Sequence, residues 1–168
     1  MARTWQGRFI EVHVEPFGAH EWEYVARVRR MGAAVILALT EDSIVLVEQY
    51  RVALGARTIE LPAGLIGDGE TDEPGWQAAA RELEEETGWR AARWEDLGDF
   101  ATSPGMSSEM FTLFRAGGLE RAGPGGGVAG EDIVPHLVRI VDLPAFLAAK
   151  RAEGMVIDCR LALALGFV

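Results

Sequence analysis

Two short runs constrain this chain more than any other feature: "GAAVILAL" (32–39) and "SIVLVEQY" (43–50), separated only by Thr40, Glu41 and Asp42. Runs that are apolar at most positions and this short are expected to form two buried, adjacent strands. Few other segments have helical spacing. The expected class is therefore α/β, a mixed β-sheet with helices packed on its faces.

The remaining segments fill in that outline. "FIEVHVEPFG" and "EWEYVARVRR" alternate apolar and polar residues around a Gly-containing turn, which predicts an N-terminal hairpin. "RTIELPAG" is a short strand ending at Pro62 and Gly64, and "RWEDLGDF" and "MFTLFRAG" are further strands joined by "ATSPGMSSE". "GLERAGPGGGVAGED" is too rich in glycine to pack a core and is expected to be a mobile surface loop. "IVPHLVRIV" is a last strand, and "DLPAFLAAKRAEG" and "MVIDCRLALAL" are closing helices, the first stopped by Gly154. With no repeat and no linker, the division is a small antiparallel β element over 1–30 and one domain over 31–168.

A formal net charge of −10 argues against a nucleic-acid binder, whose footprint is a basic face. No apolar run approaches the roughly 20 residues that span a bilayer. The N-terminus lacks the apolar segment of a signal peptide, so no membrane partner and a cytoplasmic address are expected. Cys159 is the only cysteine, which removes disulfides and cysteine-based metal sites.

"GDGETDEPGWQAAARELEEETGW" (67–89) is the stretch that carries chemistry. Pro74 opens a helix and Gly88 closes it. At about 100° per residue, Glu85 and Glu86 fall within about 60° on either side of Glu82. Leu83, Ala79, Ala80 and Trp76 form an apolar face beside them, and Glu84 points elsewhere. Like charges so placed destabilise a helix, and Arg81 offsets only part of the repulsion. The missing positive charge must come from outside the helix. Clustered carboxylate oxygens are what Mg²⁺ or Mn²⁺ prefers.

The same stretch resembles, position by position, the signature of the Nudix hydrolases, G-x5-E-x7-R-E-U-x-E-E-x-G-U, with U a bulky apolar residue. Gly67, Glu73, Arg81, Glu82, Leu83, Glu85, Glu86 and Gly88 match, and Trp89 stands where an aliphatic residue is usual. The resemblance implies a Nudix α/β/α sandwich, a divalent metal on the glutamate face and hydrolysis of a nucleoside diphosphate linked to another group. It implies Glu82 and Glu86 as main metal ligands, Glu85 sharing the site, the Ala63 carbonyl as a further ligand, and two or three ions. Arg81 and Glu73 would orient those ligands.

Outside the signature, the chain resembles the ADP-ribose (ADP-sugar) pyrophosphatases. The carriers are "ELPAGLI", Pro104 sixteen residues beyond Gly88, "EWEYVARVRR" and "VEQYR". That resemblance implies that Trp22 stacks on adenine, Glu23 accepts from its exocyclic amine and Arg27 reaches toward the ligand. It also implies a second stacking tryptophan, Trp5, from the partner subunit of a homodimer with exchanged N-terminal strands. Arg51 would contact the pyrophosphate, and Glu109 would aid substrate or metal. Glu131 would serve as general base or extra metal ligand, a role a box glutamate could also take. Some relatives carry a further glutamate where this chain has Ala129. The expected reaction is hydrolysis of ADP-ribose to AMP and ribose 5-phosphate. The alternatives are another nucleotide sugar, such as GDP-mannose or ADP-glucose, or a non-catalytic ADP-ribose sensor.

Overall fold

The structure is a computed structural model that describes residues 2–29, 31–67, 73–128 and 130–168. Ala129 therefore lies outside the described residues, as do five residues of the signature stretch, 68–72. The chain begins with β1 (Ala2–Gln6), β2 (Ile10–Phe17) and β3 (His20–Arg27), which form an antiparallel sheet of their own. β2 and β3 are the expected hairpin, turning at Gly18; β1 is an added edge strand.

The body contains β4 (Ala33–Ala38), β5 (Ser43–Arg51), β6 (Ala56–Glu60), β7 (Ala63–Leu65), α1 (Gly75–Thr87), β8 (Trp89–Ala101), β9 (Met110–Arg121), β10 (Ile133–Arg139), α2 (Leu143–Ala152), β11 (Val156–Ile157) and α3 (Cys159–Ala164). Two mixed sheets run in the orders β7-β4-β9-β8 and β10-β5-β6-β11. Alternation along the buried strands builds two cores. Val35, Leu37, Ile44 and Leu46 pack with Leu143, Leu147 and Leu161 of α2 and α3, whereas Ala34, Ile36 and Val45 pack with Ala78, Ala79 and Leu83 of α1. Helices thus cover both faces, giving an α/β/α sandwich. No helix among the described residues is long and apolar enough to cross a membrane.

Four expectations need correction. β4 and β5 are both buried but do not pair: β7 and β9 take both edges of β4, β10 and β6 those of β5, and only the bridge Leu39–Ile44 joins the runs. The glycine-rich segment begins as strand, because β9 continues to Arg121. Beyond it, the segment is bound to the end of α1, where Gly126 and Gly127 donate to the Glu86 and Glu85 carbonyls at 2.8 and 2.9 Å. A Cβ on Gly125 would meet the Thr87 backbone at 2.4 Å, so glycine here serves close approach of two backbones. The last "helix" starts as β11, which pairs with Thr58 and Ile59 of β6 in parallel, and only Asp158 caps a helix. Finally, the buried face of α1 is Ala78, Ala79, Leu83, Glu86 and Thr87; Trp76 is half exposed and Ala80 only partly covered. The inward face is rotated onto the carboxylates, because β7 lies over that side of the helix.

Candidate active site

β6 ends at Glu60, and Leu61 and Pro62 lead into β7, which passes directly over α1. The Ala63 N–H donates to Glu86 Oε2 at 3.0 Å, placing the Ala63 backbone against that carboxylate. Glu86 is only 5% exposed. Burial pushes its carboxyl up to about 8; the Ala63 N–H and Arg51 oppose the shift, and the negative charges of Glu82 and Glu131 add to it. Burial also raises the Glu82 carboxyl, with Arg81 opposing and Glu85 and Glu131 adding. Glu131 therefore lies within electrostatic reach of the same pair.

Arg81 donates to Glu82 Oε1 at 2.7 Å, to Glu85 Oε2 at 3.3 Å and to both Glu73 oxygens at 3.3 and 3.4 Å. It thus ties the two ends of the signature together. Glu73 in turn accepts the Gly67 N–H at 3.3 Å. Glu84 leaves the cluster, as its wheel position requires, and is forked onto Arg90 at 2.7 and 2.6 Å. A Glu84→Gln variant should therefore keep activity within about twofold, since exposed pairs contribute little; steady-state kinetics beside Glu82→Gln would check this.

Among the described residues, no group of three carboxylates or imidazoles is already converged to hold an ion. Glu82 and Glu85 are turned onto Arg81. The donor set nonetheless fits a hard divalent cation: it is all oxygen, two of its carboxylates are raised by burial, and it lacks matching positive charge. The backbone at Gly64 also leaves room for the Glu82 carboxyl. A Cβ on Gly64 would stand 1.9 Å from the Glu82 carboxyl carbon. Glu82, Glu86 and the Ala63 backbone would hold the ion, with Glu85 and Glu131 at its margin.

Arg51 forks onto Glu60 at 2.7 and 2.6 Å, and its charge is felt at Glu86. Glu60 is almost fully buried and also accepts from Thr58 and, at 3.0 Å, from Arg160, which pairs with Asp158. Sequence reasoning missed Glu60, Arg160 and Asp158. A lone arginine in the apolar tail "CRLALAL" and the alternation of Thr58 with Glu60 were the available signals.

Toward the N-terminal sheet, Arg27 and Glu109 pair at 2.8 and 2.5 Å, and Arg160 is within electrostatic reach of Glu109. An almost continuous charged line thus runs from β3 to Glu86. Pro104 sits in an exposed turn closed by Met106 and Ser107 N–H groups on the Ser103 carbonyl. That loop docks on β3 through the Val25 backbone. Trp22 and Trp5 are 48% and 54% exposed. They are not brought together: Trp22 pairs across from Glu15 and Trp5 across from Val12, so the two indoles project from opposite faces of the sheet. Glu23, adjacent to Trp22 on the same strand, likewise points to the other face.

The NUDIX domain family model matches residues 28–154, most of the chain. The chain belongs to the Nudix hydrolases. It is 37% identical over 143 residues to the methanol dehydrogenase activator of Bacillus methanolicus, covering 83% of this chain and 76% of that one. It is 42% identical over 97 residues to the ADP-ribose pyrophosphatase of Mycobacterium tuberculosis, covering 57% of this chain but only 46% of that one. The GDP-mannose pyrophosphatase of Cronobacter sakazakii is 34% identical over 147 residues, covering 82% and 72%. A crystal structure described as an ADP compounds hydrolase superposes with a TM-score of 0.69 at 22% identity, covering 88% of this chain and 80% of that one. That likeness shares the fold.

Proposed function

We propose that this protein hydrolyses the pyrophosphate bond of ADP-ribose to AMP and ribose 5-phosphate. The observation that carries the reading is the buried Glu86 carboxylate, flanked by Glu82 and Glu131 and faced by the Ala63 backbone and Arg51. Two or three Mg²⁺ or Mn²⁺ ions would be held by Glu82, Glu85, Glu86 and the Ala63 carbonyl. When bound, such ions neutralise phosphoryl oxygens and lower the pKa of water.

The chain's own residues do the rest. Arg51, pre-formed by its fork on Glu60, presents its guanidinium to the diphosphate. Arg81 holds Glu82 and Glu85 in place through bonds that also fix Glu73. Glu131, or a box glutamate, takes the proton of the attacking water as one P–O bond forms and the bridging P–O bond breaks. Arg27 and Glu109, with Pro104 in the neighbouring turn, would shape the far end of the substrate cleft. Because Trp22 and Trp5 lie on opposite faces within one chain, a base stacked between two indoles requires Trp5 from a second copy. On this reading the protein is a homodimer with exchanged N-terminal strands, cytoplasmic and acting on a small nucleotide sugar.

A panel of ADP-ribose, ADP-glucose and GDP-mannose with Mg²⁺ tests the reading. The efficiency for ADP-ribose should exceed that for GDP-mannose by at least about tenfold, a difference of about 1.4 kcal/mol in transition-state binding. Equal efficiencies would remove the adenine assignment of Trp22; Glu23, on the opposite face of β3, does not share that base within one chain. Binding without turnover would leave a sensor.

A further inference from the structure

Asp132 adjoins Glu131, and the proposed chemistry gives it no task. Its carboxylate accepts from Arg57 at 2.5 Å, and Arg57 in turn donates to Glu48 at 2.6 Å. Arg57 lies on β6 and Asp132 directly precedes β10, so this side chain reaches across the central strand β5. Cross-strand pairing puts Arg57 on the face of Tyr50 and Glu48, and Val134 on that same face. This is the side on which Ile44, Leu46 and Ile59 meet α2 and α3. Glu48 is a firm anchor: buried at 7% exposure, it also accepts from His136 and Lys150, each at 3.1 Å.

Glu131 faces the other way. A Cβ on Gly127 would stand 2.3 Å from Glu131 Oε2, and Gly127 is itself bonded to the Glu85 carbonyl of α1. Glu131 therefore lies against the end of that helix, where its charge is felt at Glu82 and Glu86. Glu131 ends the turn that begins at Val128, and Asp132 leads from that turn into β10. Holding Asp132 on the α2 side therefore fixes the chain at the end of that turn, and with it Glu131. The other end of the turn is held independently, by Gly126 and Gly127 on the end of α1. Between the two anchors, Glu131 N–H donates to the Val128 carbonyl at 3.0 Å and Glu131 Oε2 accepts the Val128 N–H at 2.9 Å.

We propose that Arg57 is a positioning residue that acts through Asp132 to hold the Glu131 carboxylate against the Glu82–Glu86 pair. The proposal rests on the reading of Glu131 as a participant in hydrolysis. Asp132 is 73% exposed at its side chain, so its ion pair adds little to global stability and Asp132→Ala should fold.

The experiment combines Asp132→Ala, Asp132→Glu and Glu131→Gln with the double variant Glu131→Gln/Asp132→Ala in the full chain. Steady-state ADP-ribose hydrolysis and amide exchange at Val128 and Glu131 are measured on each. For Asp132→Ala, kcat should fall by about tenfold with KM within about twofold. Exchange at the two amides should quicken by about tenfold. Asp132→Glu should restore most of both, and Asp132→Ala should cost nothing further in the Glu131→Gln background. Unchanged exchange in Asp132→Ala would overturn the clamp itself, whatever Glu131 does. Fully additive losses in the double variant would show Asp132 acting by another route and overturn the proposal too. If Glu131→Gln keeps full kcat, the reading of Glu131 fails, and the positioning role falls with it. The exchange data would then still report whether the clamp exists.

Discussion

Replacing Glu86 with glutamine is expected to abolish hydrolysis, with kcat/KM down by about 10³-fold or more, comparable with losing a principal charge-stabilising group. The same change should make the metal-free protein more stable. Glu86 is held at about 8 in the fold against an ordinary 4.5, so between those pH values the folded chain retains a proton that the unfolded chain has released. Stability of the metal-free wild type therefore declines as pH rises through that window and levels off above it. The size is about 3–5 kcal/mol at the upper end, from 1.36 kcal/mol per pH unit of displacement. Glutamine carries no charge, and its amide oxygen can still accept the Ala63 N–H. Urea titrations from pH 5 to 9 in the presence of a chelator should show the wild-type decline and a clearly shallower Glu86→Gln line, with the raised Glu82 carboxyl leaving a smaller decline of its own. Parallel slopes for the two proteins would mean that the cost of burying Glu86 is met elsewhere.

Gly64→Ala should be nearly as damaging, although it removes no functional group. The added Cβ would stand 1.9 Å from the Glu82 carboxyl carbon and 2.1 Å from its Oε1, so Glu82 must leave its place. A side chain 16% exposed and bonded to Arg81 cannot do so without disturbing Arg81, and with it Glu73 and Glu85. Activity at limiting Mg²⁺ should fall by about 10²-fold, the upper end for losing the support of metal ligands. Saturating Mn²⁺ should recover part of it, because the ligands are displaced rather than deleted. A Gly64→Ala enzyme with wild-type metal dependence would show that Glu82 does not occupy this position in the working enzyme.

Much of this was legible in the sequence. Helical spacing put Glu82, Glu85 and Glu86 on one face and turned Glu84 away, where it pairs with Arg90. The hairpin, the limits of α1 and the buried character of β4 and β5 also followed from local pattern. Errors arose where a distant segment decided the outcome. The inward face of α1 was placed over Ala80 and Trp76, yet β7 draws Glu86 inward instead. The two apolar runs do not pair, because partners from remote parts of the chain, β7, β9, β10 and β6, occupy their edges. The glycines of 123–127 looked like freedom and serve contact.

By itself, the sequence determined which carboxylates share a helix face, because helical periodicity is local, while the class of chemistry followed from the resemblance of that stretch to the Nudix signature. It also placed Arg51, Trp22 and Glu131 on separate segments, related only through the resemblance to the ADP-ribose pyrophosphatases. Only the tertiary structure decided that Glu86 is desolvated under Ala63, that Arg51 is braced by Glu60 and Arg160, and that Asp132 is tied to Arg57. Each of those pairs is separated by nine residues or more along the chain and joined by burial or hydrogen bonding across strands. Desolvation and charge pairing depend on distance in space, and no periodicity in a single segment encodes them.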